Sequence, residues 1–140
     1  MLAYKSVCLK GNLKDGPIIY RPYPINEFST GKWSLAVGSV TYESQIVLSN
    51  TCAITSNFST SQKRTSKGEV KIYQMPLAVF HLKTTAATPR SIFRFTPIYF
   101  PMNTIGDELR MSLIDVFQDS DEALNINCNV VMQILFQRMY

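Results

Sequence analysis

The stretch Asn129-Val130-Val131-Met132-Gln133-Ile134-Leu135-Phe136-Gln137 decides the fold class. Val130, Met132, Ile134 and Phe136 fall on one side of an extended chain, and Val131, Gln133, Leu135 and Gln137 on the other. A period of two belongs to the pleat of a strand, where successive side chains point to opposite faces. Just upstream, Leu109, Met111 and Leu113 alternate with Arg110, Ser112 and Ile114. Residues 103–116 also offer helical spacing through Ile105, Leu109, Ser112, Leu113 and Val116. A strand is favoured, because the run from Met111 to Phe117 leads into the turn Asp119-Ser120-Asp121-Glu122 and then into the final strand.

The same rhythm recurs toward the amino terminus. Trp33, Leu35 and Val37 share one side of the run Trp33 to Val40, and Trp33 is expected in the core. Cys52 and Ile54 are in phase within Asn50 to Asn57, and short apolar or aromatic runs follow at Leu77 to Leu82 and Ile92 to Thr96. Seven or eight short strands separated by turn residues are the pattern of a sandwich or barrel. The expected fold is therefore all-β, an antiparallel β-sandwich, most simply a single jelly roll. Gly11, Gly16, Pro17, Pro22 and Pro24 interrupt the start closely. The expected organisation is an irregular amino-terminal segment over residues 1–30 and a sandwich over residues 31–140.

The length of 140 residues suits one domain, which can bury a core without staples. Charged residues make up only 17%, against about a quarter in an ordinary soluble domain, so either uncharged polar residues or neighbours cover the surface. The formal net charge of +4 permits weak attraction to nucleic acid without diagnosing it. Cys8, Cys52 and Cys128 are odd in number and widely spaced, which implies no disulfide framework and fits a reducing compartment. With no leader-like or membrane-length apolar run, the expected location is a virion or the cell interior, and no membrane partner is expected.

Catalytic chemistry is sparse. His81, in Val79-Phe80-His81-Leu82, reads as a satisfied structural imidazole, and no Gly-x-Ser-x-Gly elbow accompanies it. Cys8, Cys52, His81 and Cys128 make a three-Cys, one-His zinc set arithmetically, but no two are closely spaced as structural zinc ligands usually are. The acidic run after Asp115 lacks the central Gly and distal Glu of a calcium loop. No enzyme, cofactor, metal or small-molecule substrate is expected. The main electrostatic feature is a loop carrying Lys63, Arg64 and Lys67, which either contacts phosphates or an acidic neighbour or simply keeps a loop tip solvated. Tyr20, Tyr23, Phe28, Tyr99 and Tyr140 are candidate interface residues, since rings with polar tips are enriched at interfaces. Packing on their own domain is an equal alternative for each.

The block Gly31-Lys32-Trp33-Ser34-Leu35-Ala36-Val37, followed by Ser49-Asn50-Thr51-Cys52-Ala53-Ile54-Thr55, resembles jelly-roll capsid-related proteins of polinton-like elements and related large DNA viruses of eukaryotes. The carboxy-terminal part adds to the likeness. Phe100-Pro101-Met102-Asn103 precedes the run Leu109 to Phe117, an acidic turn and the strand Val130 to Met139, which looks like the end of a penton or minor-capsid jelly roll. The resemblance spans about the last hundred residues and rests on pattern. It implies a structural role: a homo-oligomeric building block of a capsid or an attached assembly, with other capsid-type proteins as partners. The competing expectation is a binding module that meets nucleic acid or an acidic protein through the basic loop.

Overall fold

The computed structural model describes residues 2–21, 31–58, 60–64, 67–102, 108–118 and 122–139, with the side chains of 2, 3, 60–64, 71–74 and 139 outside that description. Among these residues run β1 (Leu2–Asn12), β2 (Ile18–Tyr20), β3 (Lys32–Glu43), β4 (Leu48–Ser56), β5 (Thr60–Arg64), β6 (Val70–Gln74), β7 (Ala78–Thr84), β8 (Arg90–Arg94), β9 (Phe100–Pro101), β10 (Leu109–Asp115) and β11 (Asn129–Met139). A single 3₁₀ turn, Leu13–Asp15, follows β1. Every strand pair is antiparallel.

Two sheets pack face to face. Sheet I has the order β1-β11-β3-β8, with β9 beside β3, and sheet II has the order β2-β10-β4-β7. The chain pairs first with last: β1 with β11, β2 with β10, β3 with β8 and β4 with β7. It is one long antiparallel ribbon folded at the β4–β7 tip and rolled so that β11 also meets β3 and β10 also meets β4. The hairpin β5–β6 is inserted at that tip and forms a two-stranded sheet of its own. The strand ends joined through 13–17, 44–47 and 85–89, with the end of β10 and the start of β11, therefore lie at one end of the sandwich, and the end of β4, the start of β7, the end of β8 and the start of β10 at the other.

The inner faces supply the core. Val130, Met132, Ile134 and Phe136 of β11 are all but inaccessible and oppose Leu109, Met111 and Leu113 of β10 with Cys52 and Ile54 of β4. Tyr20 stacks on this core, its ring 6.3 Å from that of Phe136. Toward the β7–β8 side the core is aromatic: Phe80 lies 6.0 Å from Tyr42 and 5.9 Å from Phe93 between ring centroids. Trp33 is buried, with the Arg138 guanidinium 5.7 Å from its ring centroid.

β3 contains the one irregularity in the sheet I ladder with β11. The register shifts at Gln133/Ile134, so that Val37 faces Ile134, Ser39 faces Gln133, and Gly38 is the extra residue. A bulge adds one residue and so reverses the alternation. Trp33, Leu35 and Val37 are buried before it, and Val40 and Tyr42 after it.

Two sequence expectations change here. Residues 2–12 are not irregular but form a strand paired along its whole length with β11. Val7 and Leu9 face the core while Tyr4, Ser6, Cys8 and Lys10 face out, and the two lysines and Gly11 mask that alternation in the sequence. Lys63 and Arg64 stand on a strand of a hairpin rather than in a loop, and only Lys67 lies in the turn.

Candidate assembly surfaces

Sheet edges come first, because an unpaired strand edge presents a row of free backbone donors and acceptors. Two of the four edges are short or broken, and β7 is of ordinary length. β2 has 3 residues, β7 has 7, and β8 has 5 before the chain leaves the edge and returns as β9. β1 has 11 residues, contains no proline, and keeps an unbroken register with β11. Among the described residues no strand pairs with its other side.

Exposed apolar side chains gather in two places. At the end formed by 44–47 and 116–128, Phe117 is 84% exposed and Val47 71%, with Ile46 and Val116 also open to solvent. The Ser44 hydroxyl donates to Asn127 O at 2.8 Å, which ties these two connections together. On the flank, Val79, Ile98, Leu77, Phe95 and Val37 line a groove between the β7 edge of sheet II and the β8–β9 edge of sheet I. Val79 is 52% and Ile98 64% exposed there. Isolated exposed apolar residues are ordinary, whereas clusters mark contact surfaces.

Of the candidate interface residues, Tyr99 is half-buried and lines a shallow pocket on the outer face of sheet I with Tyr4 and Leu135. Tyr20 instead packs on its own domain, and Lys5 Nζ sits 5.9 Å from its ring centroid. Tyr23, Phe28 and Tyr140 lie outside the described residues. Sequence reasoning missed Tyr4, Ile98 and Phe117, since exposure of a single apolar residue leaves no mark in an alternating pattern.

The polar candidates separate in space. His81 is exposed on the outer face of sheet II: Phe80 and Leu82 point inward and the imidazole points out. Ser49 Oγ lies 3.2 Å from its Nε2 and Thr51 Oγ1 3.4 Å from its Nδ1. Cys8 is exposed on the outer face of sheet I, while Cys52 and Cys128 are buried. The four zinc candidates are thus spread over two outer faces and the interior. Burial pushes the Cys52 thiol up to about 12, with the nearby Asp115 charge adding to the shift. Among the described residues no group of three His, Cys, Asp or Glu side chains is placed to hold a metal ion, and no helix is long and apolar enough to cross a membrane.

The hairpin β5–β6 concentrates positive charge. Lys63 stands directly opposite Lys71, Arg64 is next to it in the strand, and Lys67 is exposed at the turn. Like charges directly opposite each other on a ribbon are destabilising. At the far end of the sandwich Asp15, Asp115 and Glu122 stand in or beside the connections.

The fold class is therefore an all-β sandwich of two antiparallel sheets. No family model matches the chain, and no curated protein or solved structure is significantly similar to it.

Proposed function

We propose that this chain is a structural building block that assembles with copies of itself, and that its sandwich is a single jelly roll of the capsid type. The clustering of large apolar side chains on one flank and one end carries the assembly reading. A surface with few charges and grouped Val, Ile and Phe side chains suits burial against neighbours, as in obligate interfaces. The jelly-roll reading is supported by the strand order. Nine strands in two sheets, first beside last and with β9 a short piece beside β3, suit the double Greek-key wrap of that architecture. The capsid reading leans further on the resemblance of the Trp33 and Cys52 strands and of the carboxy-terminal hairpin. It places the working protein in a virion or an intracellular assembly, with no catalytic role.

Negative-stain electron microscopy of concentrated protein tests this reading. Rings, sheets or closed shells of uniform subunits are expected. Single small particles at every concentration would overturn it.

A second reading has one observation in its favour, the opposed Lys63–Lys71 pair. An anionic partner seated on the hairpin would relieve that repulsion, as a phosphate backbone or an acidic protein surface does. Binding through this hairpin weakens steeply with added salt, whereas apolar assembly does not.

A further inference from the structure

We infer that the open edge of β1 pairs with β1 of a second copy, antiparallel about a twofold axis, joining the two sheets I into one continuous sheet. The inference rests on the assembly reading and specifies one of its contacts.

Natural sheets blunt long edges with proline, bulges, short strands or charges pointing at the edge. β1 has none of the first three over its 11 residues. Of its two lysines, Lys5 is drawn over the Tyr20 ring at 5.9 Å, which leaves Lys10 as the exposed charge. Such an edge needs an extended strand as its complement.

The sequence of β1 fits a second copy of itself. Residues directly opposite in an antiparallel pair point to the same face, so outward residues must meet outward residues. The register that uses the whole strand centres on Val7. It sets Ser6 against Cys8, Lys5 against Leu9 and Tyr4 against Lys10. Lysine never meets lysine in this arrangement, although registers centred on residue 5 or residue 10 would bring Lys5 to Lys5 or Lys10 to Lys10. Tyr4, 67% exposed in the single chain, gains the aliphatic stem and charge of Lys10 from the other copy. The contact is isologous and so closes on itself, leaving the apolar flank and end free for other contacts.

Directly opposed residues have Cα atoms about 4.5–5.5 Å apart, within the Cα separation that a disulfide spans. The Ser6→Cys variant, an exposed and conservative change, is mixed with oxidised glutathione, which accepts the two electrons as the two thiols lose their protons. The expected product is a covalent dimer in which peptide mapping finds the introduced thiol joined to Cys8 of the other copy. Adding Cys8→Ser to that variant should abolish the link. Hydrogen exchange on the unmodified protein supplies a second readout: β1 amides should become protected as concentration rises. An oligomer that forms without the link and without β1 protection overturns the edge pairing and leaves the assembly reading standing. A monomer at all concentrations overturns both.

Discussion

Gly38 of β3 and the side chain of Gln133 on β11 share one space: a Cβ built on Gly38 would stand 2.8 Å from Gln133 Oε1 and 3.3 Å from Leu135 Cδ1. Gly38 is the bulge residue, and its carbonyl accepts from the Phe95 amide at 3.0 Å where the chain leaves the sheet edge. This close approach lets β3 bury Trp33, Leu35 and Val37 and then Val40 and Tyr42 on the same inner face.

Gly38→Val is expected to destabilise the fold by about 1–3 kcal/mol, the usual cost of overpacking a filled site. Gly38→Ala should cost less, since the Gln133 carboxamide can swing aside. Urea midpoints of the two variants check the order. Equal stability in both would show that the bulge tolerates a branched side chain.

The buried thiols set an alkaline limit. The Cys52 thiol is raised from 9.0 to about 12, chiefly by burial, and Cys128 is raised for the same reason. A thiol that ionises more easily in the unfolded chain contributes in full below its unfolded value and loses that contribution as the pH rises through its folded one. Stability should therefore be intact below about pH 9 and fall as the pH rises from there toward 12. Thermal melts across this range measure it, and Cys52→Ala should flatten the fall. In the native protein Cys8 should react with a thiol reagent well before Cys52 or Cys128.

The acid side depends on Asp115. Its carboxylate accepts from Asn50 Nδ2 at 3.0 Å and from the Phe117 amide at 2.9 Å, which holds its pKa below the usual 3.8. A depressed carboxyl stabilises the fold above its unfolded value and loses that contribution as pH falls through the folded one. Asn50→Ala removes the largest cause, so acid unfolding should begin at a higher pH. An unchanged acid midpoint would contradict this. Glu108, bonded to Arg110 and Arg21, is lowered in the same sense and should leave a residual acid transition.

Lys71→Glu turns a like-charge pair into an opposite-charge pair against Lys63. Cross-strand pairs of this kind contribute about 0.2–1 kcal/mol, so the β5–β6 amides should exchange more slowly. If the hairpin meets an anion, the same substitution lowers affinity and flattens its salt dependence.

Where burial on one face follows a strict alternation, the fold can be read from the residues. β11 follows that rule throughout and β10 as far as Leu113, and Trp33, Cys52 and Ile54 are buried as expected. β1 escapes detection because an edge strand offers few apolar positions to the core and carries lysines at two of the others. β5 escapes because Thr60 to Arg64 has no apolar residue to set a phase, whereas Val70 and Ile72 mark β6. His81 has partners for both ring nitrogens, as a structural imidazole does, but it meets them on the outer face, because in a strand the neighbours of Phe80 and Leu82 must point away. The edge of β1 and the groove beside Ile98 arise only from three-dimensional pairing, which no local pattern encodes.

Sedimentation velocity of the purified chain over a broad concentration range tests the assembly claim most directly. The account predicts discrete species at multiples of the 15.9 kDa chain mass, with the smallest stable one a dimer that persists in high salt. A single species at one chain mass across the whole range would contradict it.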